Sequence, residues 1–432
     1  MANQVKQISK GTQAKFITVD TLEYMVSLIV GGAFLAHLTK TIGIPDSISG
    51  IISAFISLAG VSQLLTMMIV RPGKRMKGFT TALVIINQFM WALLYLIPLP
   101  FLPLTSGQKI MLFMALKLIA NILLKMCYPT KFVWQTYYVE EHKIGIYNAT
   151  KEMVSLICGM VFSLGIGILS DRMEAAGRMD DSFLLCAVFI AIFSAVEGIL
   201  LISVKEPRGE DGEDGEKHSI SEPFRATFGS KNFRRIITAM ILYHFFAQIS
   251  LSFYGVYQRG ELGFSMTYSQ ILTFAGMTAW AILARWTGRL AQRITWTKVV
   301  IIFMIICAIS YGVNIFTVPS NGKVFFAIYI LLHHVSSAGV RLPLLSFEYI
   351  DTANRTGAVA VTQALGGVAG FIGSLVGAAI LDRIQANGNT LFGIKLYAQQ
   401  VLSGITFVGM MLTVLYLWYV TKKIKKEEGK AA

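Results

Sequence analysis

Residues 155–177 read SLICGMVFSLGIGILSDRMEAAG, an apolar segment in which every fourth residue from Ser155 onward is small. Residues 366–388 read GGVAGFIGSLVGAAILDRIQANG and repeat this pattern 211 positions further along the chain. We call these two sets the small-residue ladders, and their members are Ser155, Gly159, Ser163 and Gly167 in the first and Gly366, Gly370, Ser374 and Ala378 in the second. Small residues at this spacing form a groove that lets another helix approach closely in lipid. The repeat therefore predicts helix packing at both ladders of an internally duplicated membrane protein.

The composition favours a membrane protein over a soluble one. Of 432 residues, 54% are hydrophobic and 14% are charged, against about 25% charged residues in a typical soluble domain. The net charge of +14 would suggest nucleic-acid binding in a soluble protein, but here the charges follow the predicted loops. The four cysteines lie in apolar segments without paired spacing. We therefore expect no disulfide framework, no metal site and no nucleic-acid partner.

Twelve apolar runs are long enough to cross a hydrocarbon core, which takes about 20 helical residues. They are residues 18–39, 47–70, 78–99, 109–129, 149–171, 182–204, 235–257, 266–287, 297–317, 323–346, 357–381 and 397–420. The predicted fold class is therefore an all-α polytopic membrane protein with twelve transmembrane helices.

Loop charge predicts the orientation of these helices. With both termini in the cytoplasm, the cytoplasmic loops and tails would hold 28 of the 38 Lys and Arg residues, and the opposite loops would hold 8. That asymmetry agrees with the positive-inside rule. We expect a multi-pass protein of the cytoplasmic membrane whose basic loops contact membrane lipids.

The longest polar stretch separates two sets of six spans. It is acidic and glycine-rich from Glu206 to Glu216, and it cannot bury enough apolar surface to fold alone. Gly43 and Gly263, which precede the second and eighth spans, are 220 positions apart and again indicate duplication. The predicted organisation is a cytoplasmic tail at 1–17, a six-helix half at 18–204, a cytoplasmic linker at 205–234, a six-helix half at 235–420 and a cytoplasmic tail at 421–432.

The turns after the second and eighth spans carry a basic motif. Residues 288–293 read GRLAQR, and residues 71–75 read RPGKR. They resemble the turn G-x-L-A-D-R-x-G-R of the major facilitator superfamily, with Gln292 and Val70 standing where that family has an acid. Residues 252–257, SFYGVY, and residues 261–265, ELGFS, together with residues 347–349, FEY, are similar to a bacterial subgroup of the superfamily.

This resemblance implies two pseudo-symmetric six-helix bundles, the major facilitator fold, with a solute cavity between them. It also implies transport by alternating access, in which we expect the ladders to form the tight interfaces between the halves. The residues predicted to act in the gate are Arg71, Lys74, Arg75, Gly288, Arg289, Arg293, Arg341 and Glu348.

Ionisable groups within membrane spans are costly, so each one is a functional candidate. Lys117, Asn121 and Lys125 share one face of the fourth span at helical spacing. One interpretation of Lys117 is an anion-binding or proton-linked residue facing the cavity. The alternative is that Lys117 pairs with a carboxylate for structural reasons and that Lys125 extends to the cytoplasmic interface.

Further candidates lie on the first, seventh, tenth and eleventh spans. Histidine titrates near neutral pH, which suits proton coupling, and Glu23 is the leading carboxylate for the same role, with Glu197 as the alternative. The complete set of predicted solute or proton-coupling residues is Glu23, Lys117, Asn121, His244, Gln248, His333, His334 and Gln363.

The sequence contains no phosphate-binding loop, no paired metal ligands and no nucleophile motif, so we expect neither an enzyme nor a cofactor. The prediction is a monomeric secondary transporter that moves a small solute, with protons as the second partner. A cationic fourth span favours an anionic or zwitterionic solute. Efflux of drugs or other amphipathic compounds, and lipid handling, stay as alternatives.

Overall fold

The computed structural model describes residues 9–69, 76–206, 225, 227–340, 355–391 and 393–428. Its helices are α1 (Lys10–Ile29), α2 (Gly32–Ile42), α3 (Asp46–Leu58), α4 (Ser62–Ile69), α5 (Met76–Leu96), α6 (Ser106–Tyr137), α7 (Ile144–Ala175), α8 (Met179–Ser203), α9 (Lys231–Leu251), α10 (Tyr254–Arg259), α11 (Met266–Ile294), α12 (Trp296–Asn314), α13 (Gly322–Gly339), α14 (Arg355–Ala386) and α15 (Ala398–Glu428). A 3-10 turn, Ala59–Val61, joins α3 to α4, and a short antiparallel hairpin pairs Thr390–Leu391 with Ile394–Lys395.

Every predicted span falls on one of these helices or on a pair of them, which confirms the all-α prediction. Within the described ranges, nine helices are long and apolar enough to cross a membrane, or ten if the bent pair α1 and α2 counts as one span. The predicted spans 266–287 and 323–346 do not pass that test. The second of these spans, 323–346, extends beyond residue 340, and residues 341–346 lie outside the described part of the chain.

The first span is broken at its middle. Helices α1 and α2 meet at an angle of 48°, and Gly31 and Gly32 lie at the junction, where Gly32 has a φ of 51°. Glycine adopts a positive φ without the steric cost that a Cβ atom would add. The break leaves backbone carbonyls at the end of α1 without helical partners, and these must find other donors in a membrane.

Helix α6 extends further than its sequence suggested. A capping box starts it, because Gln108 N donates to Thr105 Oγ1 at 3.4 Å and Thr105 N donates to Gln108 Oε1 at 2.9 Å. The predicted end at residue 129 is wrong, since the helix runs through Pro129 to Tyr137. Packed membrane helices tolerate an internal proline when neighbouring groups satisfy the freed backbone.

The chain forms two compact units that do not follow the predicted halves strictly. Unit 1 contains Met1–Ile44, Ser62–His218 and Ser265–Gln270, and unit 2 contains Pro45–Val61, Ser219–Phe264 and Ile271–Ala432. Residues 45–61 of the first predicted half therefore belong to unit 2, and residues 265–270 of the second predicted half belong to unit 1. They lie 220 positions apart, the same offset as Gly43 and Gly263.

Each unit has its own packed interior. In unit 1, α5 lies between α6 and α8, while α7 packs along α1. Phe16 and Trp134 meet edge to face there, with ring centroids 5.2 Å apart. In unit 2, α14 packs on both α9 and α3, and α12 packs on α13 and α15.

The small-residue ladders are buried and face helices of the sequence half to which they belong. In the first ladder, a Cβ added at Gly159 would lie 2.5 Å from the Tyr24 ring on α1. In the second, a Cβ at Gly366 would lie 2.5 Å from the His244 ring on α9. At Gly159 and Gly366 the ladders therefore do not provide the interface between halves that we expected. Gly167 is an exception, because it meets the start of α11.

Candidate functional site

Four ionisable side chains meet inside unit 1 and form what we call the charge cluster: Asp20 and Glu23 on α1, Lys131 on α6 and Lys151 on α7. Lys131 Nζ lies 2.8 Å from Asp20 Oδ1 and also pairs with Glu23. Lys151 Nζ lies 2.7 Å from Asp20 Oδ2. Two acids and two bases balance, which is the condition under which buried charges are tolerated.

Helical spacing explains how three elements build this cluster. Asp20 and Glu23 are three residues apart on α1 and therefore share one face. Gln135, one turn beyond Lys131, donates its amide to both oxygens of Asp20 at 3.0 and 2.9 Å, and its carbonyl accepts from Lys151 at 2.9 Å. The cluster is therefore cross-linked by hydrogen bonds as well as by charge.

One oxygen of the cluster has no partner in the part of the chain that the structure describes. There, Glu23 Oε1 is buried and accepts no hydrogen bond, although the other carboxylate oxygen pairs with Lys131. The hydroxyl groups of Tyr24 and Tyr147 are likewise buried without partners. Unsatisfied buried polar atoms are rare in stable proteins, and in transport proteins they suit a site that takes up a proton, water or a solute.

Lys117 occupies the predicted position but has a different partner from the predicted ones. Its Nζ donates to the carbonyl of Val30 at 2.6 Å, at the break between α1 and α2, and lies 4.3 Å from the centre of the Trp91 ring. The Tyr95 hydroxyl donates to the adjacent carbonyl of Ile29. Asn121 donates to the carbonyl of Lys117 at 2.9 Å. These contacts satisfy the carbonyls that the break exposes.

Lys125 differs from Lys117 because it has neither an ion pair nor a hydrogen bond in the described part of the chain. It is half-buried, and its Nζ lies 5.2 Å from the centre of the Tyr128 ring. Phe132 lies one turn beyond Tyr128, and both rings are exposed, by 49% and 38% respectively.

Within the described part of the chain, the neighbouring helices leave this exposed surface of α6 open, as they do the sides that carry Met111, Ile119 and Val133. Hydrogen bonds tie α6 to α5 through Ala120 and Thr130, and to α4 through Ile122 and Met126. Contacts to α1 use Lys117 and Lys131. Lys125, Tyr128 and Phe132 are spaced by three and four residues, so they share one face. We call it the open face of α6.

A second buried carboxylate lies between α5 and α8. Glu197 is completely buried, and both of its oxygens accept from the Gln88 amide at 3.1 Å. Its partner in the described residues is thus an uncharged amide.

The predicted residues of the second half lie in unit 2 and are separated into two groups. His244 and Gln248 are stacked on α9 against Gly366 and Gly370, and Gln248 Nε2 donates to Ser57 Oγ at 3.4 Å. Gln363 is exposed on α14.

The histidine pair of α13 forms the other group. His334 Nδ1 contacts the carbonyl of Ile330 at 2.9 Å, and its ring packs on Gly276. His333 Nδ1 is buried without a hydrogen-bond partner among the described residues, next to the rings of Tyr311 and Tyr329. His333 therefore lies within a packed aromatic cluster.

The chain matches a known protein family over most of its length. The family model described as Major Facilitator Superfamily matches residues 19–374. The chain belongs to the major facilitator superfamily. No protein in the curated set matches at a significant level. The superfamily match confirms the predicted fold and identifies a transporter of small solutes rather than an enzyme.

Solved structures of superfamily transporters share this fold at low sequence identity. The nucleoside transporter NupG is 11% identical with a TM-score of 0.73, covering 95% of this chain and 99% of that one. A D-xylose-proton symporter is 13% identical with a TM-score of 0.66, covering 94% and 96%. A bacterial homolog of the human lysosomal transporter Spinster, inward-facing and unoccupied, is 15% identical with a TM-score of 0.66, covering 97% and 96%.

The superfamily gate motif is only partly described. Arg289 and Arg293 are exposed near the end of α11, and Gly288 has open space around it. The other predicted gate residues, Arg71, Lys74, Arg75, Arg341 and Glu348, lie outside the described residues.

The structure also adds functional candidates that the sequence did not indicate. The predicted set lacked Lys131, which pairs with Glu23, and it lacked Asp20 together with its partners Lys151 and Gln135. The signal that could have found them is the pairing of Asp20 with Glu23 on one face of the first span. A buried acidic pair of that kind requires basic partners.

Proposed function

We propose that the chain is a proton-coupled secondary transporter that moves a small anionic or zwitterionic solute by alternating access. The observation that carries this proposal is Lys125, a half-buried cation on the open face of α6 that forms neither an ion pair nor a hydrogen bond within the described residues. An unpaired cation within a membrane bundle is costly unless a second charge neutralises it. A carboxylate or phosphate of the solute would supply that charge, and Tyr128 would support the rest of the molecule.

The charge cluster supplies a route for coupling to protons. Lys131 is shared between Asp20 and Glu23, so it keeps an ionic partner at 2.8 Å when Glu23 is protonated. Protonation of Glu23 would leave Asp20 as the carboxylate that faces both Lys131 and Lys151, so the cluster would carry a net charge of +1. The unpartnered Glu23 Oε1 would be the atom that receives the proton.

Replacing Lys125 with glutamine tests the proposed solute contact. In proteoliposomes offered monocarboxylates, dicarboxylates, amino acids and sugar phosphates, the variant should raise the KM for the transported anion about tenfold or more, because a hydrogen bond to a charged group is lost. Lys109→Gln, on the same helix, is the matched control and should transport normally.

Other solutes in the same assay decide against the proposal. Nucleosides, neutral sugars and lipophilic cations are included, since the similar solved structures include transporters of uncharged solutes. Transport of these compounds but of no anion would contradict the proposed solute class. An unchanged KM in the Lys125 variant would contradict the assigned contact.

Replacing Glu23 with glutamine tests proton coupling. The wild type should accumulate solute in response to an imposed pH gradient, whereas Glu23→Gln should only equilibrate the solute, because the amide cannot take up the proton. Glu152→Gln, on the exposed surface of α7, is the control. A Glu23 variant that still concentrates its solute on a pH gradient would move the coupling site elsewhere, with Glu197 as the next residue to test.

A further inference from the structure

Asp171, in the last turns of α7, caps the start of α11. Its Oδ1 accepts from Met266 N at 2.8 Å, and its Oδ2 accepts from Thr267 N at 2.8 Å and from the Thr267 hydroxyl at 2.5 Å. The next amide, Tyr268 N, donates to Ser265 Oγ at 3.1 Å. The first amides of a helix lack helical partners, and a carboxylate there also interacts favourably with the helix dipole.

The first small-residue ladder makes this contact possible. Gly167 lies one turn before Asp171 on the same face of α7. A Cβ at Gly167 would lie 3.4 Å from both Met266 C and Thr267 N, so the glycine lets the backbone of α11 lie directly on α7. Residues Ser265–Gln270 accordingly belong to unit 1, while α11 from Ile271 onward belongs to unit 2.

The repeated copy of this motif has no such contact. Asp382 corresponds to Asp171, but it is exposed and has no hydrogen bond or ion pair within the described residues. The first turn of α3, which corresponds to that of α11, carries its own acid. This acid, Asp46, accepts from Gln385 at 3.0 Å. A second carboxylate at that helix start would be repelled, which explains why only one copy caps.

We propose that Asp171 is a latch: its hydrogen bonds hold the first turn of α11 against α7, and they break when the side predicted to be non-cytoplasmic opens during transport. The inference rests on the alternating-access function proposed above. The superfamily carries an acid in its cytoplasmic gate, and this chain has Val70 and Gln292 at those positions. In this protein an acid-to-helix contact lies at the opposite end of the spans instead.

Hydrogen–deuterium exchange of the full-length protein in lipid nanodiscs tests the latch without any solute. Asp171→Ala should speed amide exchange at residues 265–270 about tenfold, because two amides lose their acceptor. If Asp171 acts as a latch, a second change in amide exchange is expected. Opening at one end should be accompanied by slower exchange at the predicted cytoplasmic segments 138–147 and 288–298, at least twofold. Asp382→Ala is the matched control and should change neither region.

A milder variant covers the case in which Asp171→Ala does not fold. Thr267→Val removes one donor to Asp171 and keeps both backbone amides, so it should produce the same pair of changes at smaller amplitude. Faster exchange confined to residues 265–270 would show a simple helix cap and overturn the latch, as would no change at all. Because hydrogen–deuterium exchange is measured without a solute, its result does not depend on the outcome of the anion-transport assay.

Discussion

Replacing Lys131 with methionine should lower the free energy of unfolding by about 3 to 5 kcal/mol, the cost of leaving a buried charge uncompensated. Lys131 is 5% exposed and is the ionic partner of Glu23, while Asp20 retains Lys151 at 2.7 Å. The measurement is reversible unfolding in mixed micelles by increasing SDS, at neutral pH.

Two further variants identify the cause of that loss. Adding Glu23→Gln to the Lys131→Met chain removes the uncompensated carboxylate and should recover a large part of the lost free energy, the signature of direct coupling between the two residues. Lys143→Met removes an exposed lysine whose partner is Glu140 and should leave the unfolding midpoint unchanged. A double variant as unstable as Lys131→Met alone would show that the lysine acts through packing of its stem.

The fold could be predicted because hydrophobic runs and internal repeats are visible in the sequence itself. Twelve apolar runs and the repeated ladders indicate a duplicated membrane bundle before any contact is known. Helix ends are harder to predict. Pro129 favoured a helix end, but neighbouring helices outweigh that local preference in a packed bundle, and α6 continues to Tyr137.

The site could be predicted only in part, because a side chain's partner is a tertiary property. The early end assigned to α6 placed Lys131 in a loop and hid the partner of Glu23. Lys117 lies on α6, and its partner is the backbone carbonyl of Val30, which becomes available only because the first span breaks at Gly31. A backbone acceptor leaves no residue type for a sequence pattern to detect.

Replacing Gly373 with alanine should destabilise the protein by about 1 to 3 kcal/mol, although the new side chain is a single methyl group. Gly373 lies on α14, and the added Cβ would overlap the backbone carbonyl of Phe245 on α9. Backbone cannot rotate away as a side chain can, so the two helices must separate. Gly367 has the same restriction on the other side of α14, where Ser57 of α3 approaches, so α14 has little room to shift.

The control for this variant is Gly165→Ala on α7, where an added Cβ meets no atom within 4 Å. Alanine has a higher helix propensity than glycine by about 1 kcal/mol in both helices. The difference in unfolding free energy between the two variants therefore isolates the close approach of α14 to α9. Equal stabilities would mean that α9 and α14 are not in van der Waals contact at this position. A stability loss in Gly373→Ala alone would instead show that glycine is kept there because the neighbouring backbone occupies the space of a side chain.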